Sequence, residues 1–330
     1  MLTNMRIAVV GAGDMGAVHA RAYYNIQDVD IAYICARNVE KVAPLAQELG
    51  VVPTTDFNSI LQDKTIDAID ICVPSEVHHE FVIPALEAGK HVFCETPLAL
   101  NMEHAEAMLK ASKENNRLLL VGLLTRSIAS YRYIKRAVDK GDLGDIQAIY
   151  AYRLGSYLRY NSRDNKEHYG DPTTELMTFD FDFINWLMGT RNTLSARAVF
   201  TPEGKPGHIF ATLQYDNAVA EIEASGIMPQ TFPYSVGFRI FGKKEMLELT
   251  TIFHTDGPPK SVLMAYPHSG KPYIVDHDDH DPYQVECQCF IDCILDNADP
   301  ALLSAERAIE ALRLSVATQN LIRQDMIKSS

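Results

Sequence analysis

Few folds are open to a chain that runs Arg6-Ile7-Ala8-Val9-Val10 directly into Gly11-Ala12-Gly13-Asp14-Met15-Gly16 and then into a helical pattern near Ala17. The apolar run has strand length. The G-x-G-x-x-G spacing predicts a tight turn at Gly11, close approach of a pyrophosphate at Gly13 and close helix-strand packing at Gly16. The helix start offers free N–H groups and a partial positive charge to phosphates. Gly11, Gly13, Asp14, Met15 and Gly16 are therefore the expected core of a dinucleotide site.

A second strand, Val29 to Cys35, ends at Ala36-Arg37-Asn38. An acid at this position would bond the adenosine 2'-hydroxyl and repel a 2'-phosphate. Here the acid is missing, and a guanidinium able to grip phosphate oxygens stands beside the gap. Arg37 and Asn38 thus favour NADP over NAD, with NAD kept as the second choice. The plainer alternative is a solvated loop arginine stacking on adenine.

The pattern that follows alternates strand and helix. Apolar runs at Ile66 to Val73, His91 to Cys94 and Leu118 to Gly122 read as strands, and Val39–Leu49, Val77–Ala88 and Met102–Asn115 as helices, with a turn around Gly50–Pro53. This predicts a parallel, doubly wound sheet over 1–123, with ligands beyond the carboxyl ends of its strands. Pro74, His78, Glu95, Thr96 and Pro97 occupy such ends. Past Leu123 a helix at Ser127–Lys140 precedes strand patterns at Ile146–Leu154, Leu194–Phe200, Ile209–Tyr215, Ala218–Ala224, Ser235–Phe241 and Met246–Thr250. Two more helices are expected near Val285–Asp296 and Ala305–Arg323. The expectation for 124–330 is an α+β domain on a large, open, mostly antiparallel sheet that binds substrate and a partner subunit as homodimer or homotetramer.

Composition narrows the partners. A net charge of -13 argues against nucleic acid, which needs a basic face. No apolar run reaches membrane-span length and no signal-peptide pattern opens the chain, so a cytoplasmic protein is expected. The six cysteines read as reduced core thiols. Cys287, Cys289 and Cys293, with His277 and His280 upstream, lack paired zinc-site spacing, and no metal is expected.

The glycine turn, Val73-Pro74 with His78 four residues on, Ala88-Gly89-Lys90-His91-Val92 leading into Glu95-Thr96-Pro97-Leu98-Ala99, and Gly141-Asp142-Leu143-Gly144 together resemble the Gfo/Idh/MocA family over nearly the whole chain. The resemblance implies a Rossmann domain, an α+β substrate domain and NAD(P)-dependent redox chemistry on sugars, sugar derivatives or cyclitols. It also implies two departures. The family's Glu-Lys-Pro lysine, which assists proton transfer, is Thr96 here, a poor general base. The family's helix histidine, expected within Thr173–Gly189, is Phe179.

At 100° per residue Glu175, Phe179, Asp182 and Trp186 would share one face of that helix, with Asp180 directed elsewhere. Glu175 could serve as acid or base with a raised pKa, or simply complement a helix start. Tyr169 or His168 could reach in from the preceding loop. That loop also gathers Tyr157, Arg159, Tyr160, Arg163 and Lys166, which suits an anionic substrate or an ordinary solvated loop. Two rival readings follow from the missing lysine and histidine: retained cofactor assisting cleavage, elimination or epimerisation, and a non-catalytic sensor of NAD(P) or sugar.

Overall fold

The computed structural model describes residues 4–156, 170–254, 257–277 and 280–329. The chain forms two compact units, Met1–Ser127 with His280–Leu312, and Ile128–Asp279 with Arg313–Ser330.

In the first unit, strands β1 (Met5–Val10), β2 (Val29–Cys35), β3 (Val52–Thr54), β4 (Ala68–Ile71), β5 (His91–Cys94) and β6 (Leu119–Val121) make one parallel sheet in the order β3-β2-β1-β4-β5-β6. Helices α1 (Asp14–Tyr24), α2 (Val39–Leu49), α3 (Phe57–Gln62), α4 (His78–Glu87) and α5 (Met102–Glu114) connect them. Each central strand is apolar because helices cover both faces of such a sheet; every residue of β4 is buried, Asp70 among them. Strand order reverses at β1, which pairs with β2 on one side and β4 on the other. The crevice of a doubly wound fold lies at this reversal. Strand β3 occupies a stretch that sequence pattern assigns to a turn; it is a three-residue edge strand, where Pro53 is tolerated.

A single cut after residue 123 does not describe these units. Helix α9 (Pro282–Leu295) belongs to the first, because its apolar face packs there: Phe290 lies 5.5 Å from Phe93 of β5, ring to ring. No local pattern in 282–295 reveals where that face is buried.

In the second unit, β7 (Ile146–Leu154), β8 (Thr193–Phe200), β9 (Pro206–Gln214), β10 (Val219–Ser225), β11 (Tyr234–Gly242), β12 (Glu245–Phe253), β13 (Lys260–Pro267) and β14 (Tyr273–Ile274) form one sheet ordered β14-β13-β12-β11-β7-β10-β9-β8. All neighbours are antiparallel except β7 and β10. Strands β13 and β14 are absent from the sequence reading; β13 lies among prolines and lengthens the edge. One sheet face is buried, with Ile149, Ala151, Phe238 and Ile240 on it. Tyr131 of helix α6 (Ala129–Asp139) and Phe183 pack edge-on there, their ring centroids 4.7 Å apart, and Phe183 lies 4.9 Å from Phe238. The opposite face is half-exposed and mixed, with Tyr150, Glu223 and His208 hydrogen-bonded together beside exposed Phe210 and Phe241.

The helix expected over Thr173–Gly189 is broken. A single turn, α7 (Pro172–Glu175), is followed by α8 (Met177–Met188), and Leu176 between them has φ -117°. This break interrupts the 100° progression, so Glu175 does not continue the face of α8. Asp182 is only 1% exposed, in contrast to the half-buried Phe179 and Trp186. The final helix, α10, spans Ala305–Ser329.

Candidate functional site

The glycine turn follows β1, where the sheet order reverses. Gly11 has φ +93°, and a Cβ there would stand 2.5 Å from the Cys72 carbonyl oxygen. At Gly16 a Cβ would stand 1.8 Å from the Gly11 carbonyl oxygen, so α1 starts in backbone contact with the turn. Gly13 is different: nothing lies within 4 Å of where its Cβ would be. That open cradle at the start of α1 suits a pyrophosphate, held by the first N–H groups of the helix.

The other expected cofactor residues divide by environment. Asp14 and Met15 open α1. Arg37 is exposed at the end of β2, and Asn38 caps α2, its side chain accepting the Glu40 N–H at 2.9 Å. Pro74 begins the turn after β4. His78 is buried, with Nε2 2.9 Å from the Val73 carbonyl and Nδ1 3.1 Å from that of Leu98. Burial lowers its pKa against the pull of those carbonyls, and the neutral ring, with one N–H, donates to one of the two while its other nitrogen lies bare; Cys94 Sγ stands 3.3 Å from Nδ1. Thr96 precedes Pro97 in a cis peptide, and its buried hydroxyl has no hydrogen-bond partner among the described residues.

Glu95 leads to a cluster that motif spacing does not reveal. Its Oε2 accepts the Thr96 N–H at 2.9 Å, and its Oε1 stands 3.0 Å from Nε2 of His19, a fully buried residue of α1. On its other side, His19 Nδ1 donates to Asp70 Oδ2 at 2.9 Å. Cys72 Sγ donates to Asp70 Oδ1 at 3.1 Å. Glu286 of α9 brings a third carboxylate, with Oε1 3.7 Å from His19 Nε2 and Oε2 unpartnered among the described residues.

Burial opposes a charge on His19, but the Asp70 carboxylate bonded to its Nδ1 favours it, and the imidazole is held well above its ordinary value. For Glu286, burial drives the carboxyl well above the usual range; His19 opposes this, and Glu95 and Asp70 reinforce it. Within this cluster the surroundings favour the charged form of His19 and the protonated form of Glu286. Two signals in the sequence point toward it: an aspartate inside an otherwise apolar strand, and a glutamate inside an apolar helix face, each of which needs a buried partner.

The catalytic expectations fall elsewhere. Tyr169 and His168, with the cationic and aromatic residues from Tyr157 onward, lie outside the described residues. Glu175 accepts the Gly170 N–H at 2.7 Å through Oε1. Asp180 is buried and bonded to Arg153 Nε at 3.0 Å; the same guanidinium lies 4.6 Å from the centre of the Phe179 ring. Arg153 sits on an inward position of β7, in register with Ile149 and Ala151, where no motif in the sequence marks it.

Comparison with known proteins agrees with this geometry. Residues 5–123 match the model of an oxidoreductase family with an NAD-binding Rossmann fold, and residues 131–248 match the GFO/IDH/MocA C-terminal domain. A 4-carboxy-2-hydroxymuconate-6-semialdehyde dehydrogenase of Sphingobium sp. is 34% identical over 169 residues, 50% of this chain and 54% of that protein's length. The chain therefore spans about half of that relative. The myo-inositol 2-dehydrogenase of Thermotoga maritima is 27% identical, covering 76% of this chain and 78% of its own. In fold, an aldose-aldose oxidoreductase from Caulobacter crescentus superposes with TM-score 0.86 at 18% identity, over 98% of each chain.

Two outcomes follow from this geometry. Gly13→Ala should keep the wild-type melting temperature, since its methyl meets open space, yet weaken NADPH binding about tenfold or more by standing where the pyrophosphate approaches; fluorescence titration and thermal melts read the two effects separately. Glu286 and His19 both bind protons more tightly folded than unfolded, so the stability each contributes is fully present below about 4.3 for Glu286 and about 6.5 for His19 and is lost as pH rises through its raised folded value. In urea denaturation, Glu286→Gln should show a flatter decline between about pH 5 and 8 than the wild type.

Proposed function

Because the chain belongs to the Gfo/Idh/MocA oxidoreductase family and is an NAD(P)-dependent dehydrogenase or reductase, we propose that it moves hydride between NADP and a hydroxyl or carbonyl carbon of a sugar, sugar derivative or cyclitol. The observation that carries this reading is the open cradle at Gly13, set at the start of α1 beside the reversal of strand order. When bound there, the nicotinamide supplies the hydride chemistry, and the protein supplies binding, orientation and the proton. Thr96 and Phe179 are unsuited to move that proton, so a carboxylate is the partner to expect.

The preference for NADP rests on Arg37, an exposed guanidinium where an acid would select NAD. An anionic substrate is supported by the Sphingobium relative, whose own substrate name carries a carboxy group. Sugars and cyclitols are supported by the relatives named for inositol and levoglucosan. A homodimer through the half-exposed sheet face is part of the same proposal, since Phe210 and Phe241 stand exposed on it.

The test is to purify the protein, identify any cofactor it carries, and follow nicotinamide absorbance against a panel of neutral and anionic sugars and cyclitols. Steady formation or loss of NADPH supports the proposal. Retained cofactor with no net change in absorbance replaces it with redox-assisted cleavage or epimerisation, and ligand binding with no turnover replaces it with a sensor.

Arg37→Ala should weaken NADP by about tenfold or more while leaving NAD nearly unchanged, because only NADP offers a 2'-phosphate; equal loss for both cofactors would defeat the assignment. Light scattering at micromolar concentration should give at least twice the monomer mass, and a monomer would remove the sheet face from the proposal.

A further inference from the structure

Of the three carboxylates around His19, Glu95 alone keeps part of its side chain exposed, 15% against 0% for Asp70 and 1% for Glu286. It follows β5 directly, at the carboxyl end of the sheet, where ligands of doubly wound folds bind. Behind it the groups form a chain. Asp70 fixes His19 through Nδ1, which directs Nε2 into the space between Glu95 Oε1 at 3.0 Å and Glu286 Oε1 at 3.7 Å. The Nε2 contact to Glu95 is at ion-pair distance but off the hydrogen-bond line, so that nitrogen is buried without an aligned acceptor among the described residues. Gly122, at the end of β6, leaves room for the carboxylate: a Cβ there would lie 3.3 Å from Glu95 Oε2.

We propose that Glu95 is the proton-exchanging residue of this enzyme, and that His19, clamped by Asp70, is the residue that positions it. The inference rests on the oxidoreductase reading above. During oxidation the substrate O–H bond breaks and its proton passes to a Glu95 carboxylate oxygen. The O–H electron pair forms the carbonyl, and a bound nicotinamide would take up the carbon-bound hydrogen as hydride. Reduction returns the proton from Glu95. His19, already neutralised by Asp70, offers Glu95 a charged N–H without imposing a net positive charge on the site. Glu286, at 1% exposure, is closed off from the crevice and leaves the exchange to Glu95.

The groups facing His19 come from every element packed on it. Asp70 and Cys72 come from β4 and its end, and Glu95 follows β5. From α9 come Glu286 and Tyr283, the latter with its ring 5.9 Å away. Cys72 is pushed up by burial and Tyr283 likewise, so both stay protonated near neutrality and the carboxylates set the response.

The first measurement needs neither cofactor nor substrate. With histidine ring nitrogens labelled and His19 assigned by loss of its signal in His19→Gln, the imidazole should remain charged well above its ordinary value. Glu95→Gln should lower its titration midpoint by about one unit or more, as loss of an opposite charge at this distance does. An unchanged midpoint overturns the proposal on its own, whatever turnover shows.

The second measurement uses NADP with a substrate found in the panel. Glu95→Gln should lower kcat about 100-fold or more and remove the acidic limb of the kcat profile. His19→Gln should keep the limb but move it. Should Glu95→Gln fail to fold, Glu95→Asp carries the test: it should preserve the His19 midpoint and reduce kcat. An acidic limb that survives Glu95→Gln, or one that vanishes only in Glu175→Gln, overturns the assignment. Absence of turnover with every panel member defeats the oxidoreductase reading and the catalytic role of Glu95 together, even where the His19 titration behaves as expected.

Discussion

One buried imidazole sets the arrangement of the first unit. His19 lies one turn past the glycine motif, and its two nitrogens reach Asp70 on β4 and Glu95 after β5, with Glu286 of α9 beside the second. Removing charges from water is costly, and attraction in a low-dielectric interior offsets that cost only when partners are close and well placed. These contacts therefore fix more than a side chain. They bind the helix that carries the phosphate cradle to the two strands whose ends form the crevice. They also explain why a helix from residue 282 onward returns to the unit built by the first 127: without Glu286, Phe290 and the rest of that face, the cluster would lie open to solvent.

Backbone and side chain constrain α1 independently. Gly16 leaves the Gly11 carbonyl no room for a Cβ, which sets how closely the helix starts against the strand. His19, three residues later, then sets which face of the helix turns toward β4. A helix fixed at its start by contact and along its face by charge has little freedom to rock, and that rigidity is what a row of N–H groups needs to hold a pyrophosphate without paying for order on binding.

Much of this was legible in the residues. The glycine turn, the strand-helix alternation and most strand boundaries are local: they depend on glycine conformations, apolar periodicity and caps such as Asn38 and Asn101, which act within a few residues. The Rossmann and antiparallel sheets, and the family resemblance, followed from them. What was not legible depends on partners distant in sequence. Asp70 and Glu286 stand 216 positions apart, and neither shows its partner in its own neighbourhood. The break at Leu176 has no glycine or proline to announce it, so Glu175 and Asp182 were placed on one face that the backbone does not build. Strand β13, Lys260–Pro267, is flanked by prolines and half-exposed, which weakens the alternation that would mark it.

The same reasoning bears on position 179 of the second unit. Arg153 is buried on β7, tied to Asp180, and its guanidinium lies 4.6 Å from the centre of the Phe179 ring. Burial opposes the arginine's charge, while Asp180 more than restores it. A cation placed over an aromatic face is attracted to the ring's quadrupole, and more strongly where water is excluded. An imidazole in place of that phenyl ring would meet the same cation; its neutral form would be tolerated, but each protonation would set two positive charges against each other with little water to screen them. A histidine at 179 would therefore take up a proton less readily than one in water, by an amount that the Asp180 carboxylate beside Arg153 reduces. Phenylalanine at 179 instead gives Arg153 a ring face that attracts its charge whatever the pH.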